Sequence, residues 1–187
     1  MIVETILSTL DPAGRPNFAP MGVTWGEDEV VVRPFRSTDT CRNLLATGFG
    51  VVNVTDDVQA FVESALGDVE LPHFPAGVVR GVVFEGVCYW REIEVVSAGG
   101  TVERAEMRCR VLGRGWRRDF LGFSRARGAV IEAAILATRL NLVDHAGLPA
   151  VLAQHESIVR KTGDAAERAA LQRLWDFMRE WHDEAAH

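Results

Sequence analysis

The spacing of apolar residues changes near residue 120, and this change constrains the fold more than any other feature of the sequence. Before it, short apolar runs alternate with turn sequences, as in β-structure. Asp11-Pro12-Ala13-Gly14 is such a turn, because Pro suits its second position and Gly its fourth. From Ser124 onward apolar residues recur at helical spacing. We therefore predict an α+β chain, with a mainly β part over residues 1–118 and a helical region over residues 119–187.

The local pattern also predicts individual elements. Strands are expected at residues 2–9, 17–25, 29–35, 49–54, 78–84, 87–96 and 101–112, with a loop at residues 67–77. One short helix should begin after Ser37 or Thr38 and end at Gly48, and a second should follow residues 55–57. Further helices are expected at residues 124–140, at residues 148–161 and from Asp164, where Glu167 stands at capping-box spacing. The helix expected at residues 124–140 is apolar nearly all round, which predicts that it is buried against the β part or a partner subunit.

Charge and composition exclude several classes of function. The 187 residues carry a net charge of −6, which argues against general binding to nucleic acid or to anionic membranes. No apolar run approaches the length of a membrane span, and the N-terminus lacks the pattern of a signal peptide. The separated Cys41, Cys88 and Cys109 form neither a disulfide framework nor a zinc motif, so we expect reduced thiols and a cytoplasmic protein.

The segment from Arg33 to Asn43 is a candidate anion site. A predicted strand ends at Pro34, and arginines and hydroxyls then surround the start of a helix. The free amides and positive dipole end of a helix N-terminus bind anions, and Arg adds donors matched to phosphate oxygens. The alternative is an ordinary capped helix with solvated arginines.

Two other segments suit a flat polar ring. Pro20 and Gly22 are both unusual inside a strand, and Gly there marks either a bulge or a close approach of a ligand to the backbone. Asn53 interrupts an apolar strand with a side chain that both donates and accepts. An edge-strand bulge and a strand-end turn residue are the respective alternatives.

Other polar groups have simpler explanations. Six arginines lie on one predicted strand and just after it. Because acidic residues stand among them, a solvated strand face is favoured over an anion site. The six are Arg104, Arg108, Arg110, Arg114, Arg117 and Arg118. His73, His145, His155, His182 and His187 lack metal-ligand spacing, and His73 alone is a candidate proton donor. A helix N-terminus can activate a thiol, but we interpret Cys41 as a packed side chain.

Taken as a set, several spaced segments resemble an uncharacterised family, domain of unknown function 447. This family has a flavin-reductase-like FMN-binding split β-barrel and is known mainly from methanogenic archaea and from bacteria such as methylotrophs. The matching β-part residues are Glu4-Thr5, Gly14-Arg15-Pro16-Asn17, Ala19-Pro20-Met21-Gly22, Arg33-Pro34-Phe35, Ser37, Thr40, Arg42-Asn43-Leu44 and Asn53-Val54-Thr55-Asp56-Asp57. Those of the helical part are Arg125-Ala126, Gly128-Ala129-Val130-Ile131-Glu132-Ala133-Ala134 and Ala137-Thr138-Arg139-Leu140.

The resemblance implies FMN at the interface of a homodimer. It places Arg33, Ser37, Thr40 and Asn43 at the phosphate, with Phe35 and Thr38 in the same segment. It places Met21, Gly22 and Val23, next to Pro20, beside the ring. Asn53 would lie near the ring or ribityl chain, and Arg125 would reach the site from the helical part.

Three functions remain open at this stage. The first is an FMN-dependent oxidoreductase acting on an unknown small molecule, in which the flavin supplies the chemistry. The second is a non-catalytic protein that binds or senses FMN or another phosphorylated ring. The third is a ligand-free interaction protein, suggested by the stripe that carries Trp175 and Trp181.

Overall fold

A computed structural model describes residues 1–142 and 147–185. The strands are β1 (Ile2–Leu10), β2 (Pro16–Trp25), β3 (Glu29–Val32), β4 (Phe49–Val54), β5 (His73–Pro75), β6 (Val82–Phe84), β7 (Tyr89–Gly100) and β8 (Ala105–Trp116). The helices are α1 (Asp39–Thr47), α2 (Val58–Leu66), α3 (Arg125–Ala137), α4 (Leu148–Thr162) and α5 (Ala165–Ala185). These elements form two compact units, one of residues 1–56 and 68–120 and one of residues 57–67 and 121–187.

The first unit is a closed antiparallel β-barrel with the strand order β1-β2-β3-β8-β7-β4. Alternation along the strands places one set of side chains inside the barrel. This core consists of Leu7, Val23, Val30, Val32, Cys41, Leu44, Val52, Ile93, Ala105, Met107 and Cys109. Because Cys41 and Leu44 belong to α1, that helix closes the barrel core, and its position is fixed by burial of its apolar side.

A two-stranded sheet of β5 and β6 covers part of the outer face of the barrel. Val51, Val79, Val83 and Val87 form a second apolar cluster there, which explains why β4 is apolar on both faces. Ser8 of β1 donates to the Val82 carbonyl at 2.5 Å and so connects the barrel to β6.

The second unit is helical. Alanines dominate the buried side of α3, which packs against α2, α4 and α5. Asp164 and Glu167 form the predicted reciprocal cap: the Ala166 amide donates to Asp164 at 3.1 Å and the Asp164 amide donates to Glu167 at 3.0 Å. Arg127 of α3 donates to the other Glu167 oxygen at 3.0 Å, so the cap of α5 also ties two helices together.

The structure differs from the predicted elements in several places. β3 ends at Val32, and β7 and β8 extend to Gly100 and Trp116. The predicted loop at residues 67–77 contains β5, and α2 belongs to the helical unit rather than to the β part. The predicted strand at residues 78–84 begins only at Val82, because Glu92 binds the backbone amides of residues 77–79. The helix from Ser124 ends at Ala137, so Arg139 lies in the following turn. The bulge interpretation of Pro20 and Gly22 is wrong, because β1 and β2 pair in uninterrupted register.

Candidate functional site

In this closed barrel β2 pairs with β3 over only two residues, and the rest of β2 lies beside the connection from β3 to α1. β2 pairs with β1 along its whole length, whereas it meets β3 at Trp25–Val30 and Thr24–Val31. Residues 16–23 of β2 therefore have one edge without a described neighbouring strand. We call this edge, together with residues 33–40 opposite it, the β2 cleft. Side chains join its two walls at both ends, through Arg33 to Thr24 at 2.8 Å and Asn17 to Thr40 at 3.1 Å.

Backbone groups of β2 point into the cleft at alternate residues. The Trp25 amide donates to the Met1 carbonyl at 2.9 Å, so odd-numbered residues direct their amides toward β1. Even-numbered residues direct theirs to the other edge. The amide of Gly22 and the carbonyls of Pro20 and Gly22 consequently face the cleft, and Pro20 has no N–H to offer there.

The side chains of β2 divide between the two faces of the strand. Val23 is fully buried and belongs to the barrel core, and Met21 packs against that core. Pro20 and Gly22 lie on the outer face. A β-carbon at Gly22 would come within 3.0 Å of the Ile2 side chain and 3.1 Å of the Glu4 carboxylate. These two side chains therefore leave little room for a side chain at residue 22.

The start of α1 forms one wall of the cleft. Thr38 caps the helix: its hydroxyl accepts from the Cys41 amide at 3.3 Å and donates to the Phe35 carbonyl at 2.7 Å. Ser37 is exposed directly before the cap. Asp39 is paired with Arg42, which reduces its repulsion of an anion at this helix end. Ser37 and the capped N-terminus of α1 thus lie together on this wall of the cleft.

Thr40 and Asn43 lie deeper, in a buried polar cluster that the sequence did not reveal as a unit. Asn17 donates to Thr9 at 3.3 Å and to Thr40 at 3.1 Å, and Asn43 donates to Thr9 at 3.1 Å. Thr9 and Asn17 face each other across the β1–β2 ladder. The predicted turn between these strands was the signal that could have paired them.

Arg33 and Phe35 project from the outer side of the barrel. The Arg33 guanidinium donates to Glu106 at 2.9 Å as well as to Thr24, so a carboxylate already balances its charge. Phe35 is 43% exposed, and the guanidinium of Arg104 lies 3.9 Å from the centre of its ring. The structure therefore brings Arg104 to this segment, a residue that we had assigned to a solvated strand face.

Asn53 is fully buried and has protein partners on every side. Its amide nitrogen donates to Ile6, Ser8 and Val51, and its oxygen accepts from the Phe84 amide at 3.0 Å. These bonds join β1, β4 and β6. The structure thus gives this side chain a local role in holding the barrel wall.

Arg125 belongs to the helical unit. It is the exposed first residue of α3, and Ser124 caps this helix by accepting from the Arg127 amide at 3.3 Å.

Most of the remaining arginines of the basic cluster are individually paired. Arg108 binds Glu29, Arg110 binds Glu94, Arg114 binds Asp28 and Arg118 binds Asp56. Arg117 lies 5.3 Å from the ring centre of Phe74. These contacts account for the cluster without a shared anion.

The histidines and cysteines show no reactive arrangement in the described part of the chain. His73 contacts the Leu71 carbonyl at 2.8 Å and packs against Phe18, while His145 and His187 lie outside the described residues. The three cysteines are buried and unpaired, and burial raises the pKa of Cys109 to about 12. Residues 1–142 and 147–185 contain no group of three or more metal-binding side chains.

Comparisons with known proteins agree with this architecture. Residues 3–118 match the model of the N-terminal domain of a protein of unknown function (DUF447), and residues 124–176 match a second DUF447 model. A crystal structure of an FMN-bound protein from Methanosarcina mazei, also assigned to DUF447, is 26% identical. It aligns over 94% of each chain with a TM-score of 0.82.

More distant structures share the barrel fold. The styrene monooxygenase flavin reductase of Pseudomonas putida is 18% identical, with 62% of this chain and 81% of that chain aligned and a TM-score of 0.53. The 2-nitrobenzoate 2-nitroreductase of Pseudomonas fluorescens is 17% identical over 61% of this chain and 64% of that chain, also at 0.53. The split-barrel fold predicted from the sequence is confirmed. Across the described ranges, no helix has the length and apolar character needed to span a membrane.

Proposed function

Because this chain belongs to the DUF447 family, we propose that it is an FMN-binding flavoprotein and a flavin-dependent oxidoreductase acting on a small molecule. The observation that carries the proposal is the β2 cleft, in which an unpaired strand edge faces a capped helix N-terminus. The Methanosarcina mazei protein, which is similar over nearly the whole chain, holds FMN.

The residues of the cleft fit the two chemically different ends of FMN. A ring lying along β2 would form hydrogen bonds with the Gly22 amide and the carbonyls of Pro20 and Gly22. It would lie next to Met21 and Val23. The phosphate would meet Ser37, Thr38 and the first turn of α1, with Thr40 and Asn43 behind it. Arg33, Phe35, Asn53 and Arg125 complete the proposed set, and Asn53 acts through the barrel wall that its hydrogen bonds hold.

This placement assigns separate roles to FMN and to the protein. FMN, when bound, supplies transfer of a hydride or of electrons, so the protein needs no strong acid or base of its own. The backbone of β2 orients the ring, and the start of α1 fixes the phosphate. Arg125 is our candidate for a cation that stabilises negative charge on the reduced ring.

A second function is a binding or sensor protein without turnover. The same donors would hold FMN or another phosphorylated ring. The two functions share the site and differ only in whether the bound ring exchanges electrons with a substrate.

We also propose that two copies pair with FMN at their interface. Large apolar side chains are exposed on the chain, including Trp116, Leu121 and Phe123. A contiguous exposed apolar patch marks an interaction site, and these three residues are close in sequence.

The cofactor is tested by identifying the small molecule that heat-denatured protein releases. We expect a yellow purified protein and FMN in the supernatant, detected by absorbance and mass. A colourless protein that also fails to bind added FMN would contradict the proposal.

The reaction is tested separately on flavin-loaded protein. Bleaching by a reduced nicotinamide under anaerobic conditions, followed by turnover on adding an acceptor, supports the oxidoreductase. Stable colour in the presence of nicotinamides and other reductants of low potential would favour the sensor.

A further inference from the structure

The tip of the β7–β8 hairpin is fastened to the segment between β3 and α1. The Arg36 amide donates to the Glu103 carbonyl at 2.9 Å, and the Arg36 guanidinium donates to the carbonyls of Thr101 at 2.7 Å and Gly99 at 2.9 Å. Three bonds from one residue thus hold the hairpin tip against the wall of the β2 cleft.

The tip itself has a tight, specific conformation. Gly100 has a φ of 102°, and a β-carbon there would lie 2.4 Å from the Arg104 carbonyl. The Arg104 amide donates to the Thr101 hydroxyl at 3.1 Å. This turn fixes the backbone of Arg104, which forms a β-bridge with Phe35.

Arg104 differs from the neighbouring arginines in its surroundings. Arg33 is balanced by Glu106 and Arg42 by Asp39, whereas Arg104 forms no ion pair with any described residue. Its guanidinium instead stacks 3.9 Å above the ring of Phe35, which holds it in place and leaves its edge free to donate.

The position of Phe35 connects this guanidinium to the proposed phosphate site. The Phe35 carbonyl accepts from both the amide and the hydroxyl of Thr38, the residue that caps α1. Phe35 thus contacts Arg104 through its ring and the start of that helix through its carbonyl. A guanidinium without a carboxylate partner, beside a helix N-terminus, is arranged for a phosphate.

We propose that Arg104 is a ligand of the cofactor phosphate and that Arg36 is the positioning residue that holds the hairpin tip around it. This inference rests on the proposed binding of FMN in the β2 cleft. It gives the long β7–β8 hairpin a role in selecting a phosphorylated flavin over the same flavin without phosphate.

The test compares the dissociation constants of FMN and riboflavin, measured by titration calorimetry, for the wild type and its variants. Arg104→Ala should weaken FMN binding about tenfold to a hundredfold and leave riboflavin unchanged, since one charge-assisted contact to phosphate is lost. Arg104→Lys should fall between the two, because it keeps the charge but loses the planar fork. Arg36→Ala should shift the same ratio in the same direction.

Arg108→Ala is the matched control, because Arg108 lies on the same strand and is paired with Glu29. It should leave both constants unchanged. Wild-type affinity of Arg104→Ala for FMN, or an equal loss of FMN and riboflavin, would overturn the role of Arg104 while leaving FMN binding intact. A wild-type chain that binds neither flavin would instead overturn the proposed function.

Discussion

Glu92 shows how a single buried side chain shapes the barrel wall. Its carboxylate is almost completely buried and accepts from the amides of Gly77 at 3.0 Å, Val78 at 2.6 Å and Val79 at 2.8 Å, and from the Trp90 indole at 3.2 Å. Burial by itself raises the pKa of Glu92, but these hydrogen bonds outweigh it and hold the pKa below its usual value. The carboxylate therefore stabilises the segment before β6 in its charged form.

Replacing Glu92 by Gln should destabilise the protein by roughly 1–3 kcal/mol at neutral pH, because an amide cannot accept all four bonds. A lowered folded pKa contributes stability that is complete above the ordinary Glu value and is lost as the pH falls through the folded value. The difference between wild type and variant should therefore shrink below about pH 4. Urea unfolding at neutral and acidic pH measures it. Glu94→Gln, a partly exposed neighbour, should change stability little, and an equal loss at both pH values would contradict the assignment.

Single residues also show what sequence reasoning can and cannot reach. Ser37 or Thr38 and Gly48 could be predicted as the two ends of α1, because capping depends on residues close in sequence. The partners of Glu92, Asn53 and Arg104 were missed, because each depends on the register between strands distant in sequence. An isolated polar residue in an apolar strand gives no indication of which backbone it will bind.

At the scale of elements, α1 presents its two ends to different surroundings. Thr38 caps the end that faces the β2 cleft, and Gly48 ends the helix with a φ of 78°. Thr38→Ala and Gly48→Ala should each cost about 1 kcal/mol of unfolding free energy. We expect only Thr38→Ala to weaken FMN binding. Thermal unfolding and flavin titration of both variants test this, and equal effects on FMN would show that the helix acts only through its stability.

Strand ends were predicted well where a glycine or a helix cap marks them. They were predicted poorly in the β7–β8 hairpin, whose turn lies at residues 101–104 and not at residues 98–100. β4 was predicted at its observed bounds because Gly48 and the cap of α2 mark its ends. β5 was missed because Pro72 and Pro75 give its sequence the composition of a loop, whereas β6 lies within the strand predicted at residues 78–84. Both strands exist because they cover the outer apolar face of β4, which is a tertiary effect.

At the scale of the whole molecule, the period change near residue 120 follows the last strand, β8, and precedes the helices α3, α4 and α5. It could not show that α2 packs with α3 and α5, since a nine-residue helix carries no signal of its distant partners. The split-barrel fold could be predicted from the sequence because its motifs are short segments of consecutive residues. The contacts that join the walls of the β2 cleft could not, because they combine residues distant in sequence.

The proposed pairing of two copies predicts a solution mass near twice the 20.6 kDa of one chain. Light scattering after size exclusion measures it, with and without added FMN. Phe123→Ser, which removes a fully exposed aromatic ring, should shift the protein toward the single chain if this surface is buried in the pair. A single-chain mass for flavin-loaded wild type would rule out the pairing.

The proline on the open edge of β2 has a consequence for solubility. An exposed strand edge invites pairing with a strand from another molecule, which is a common route to aggregation. Pro20 interrupts that edge because it cannot donate in a new ladder, and such a proline blocks strand addition. The barrel can thus keep one edge open to a flat small molecule while denying it to a second polypeptide.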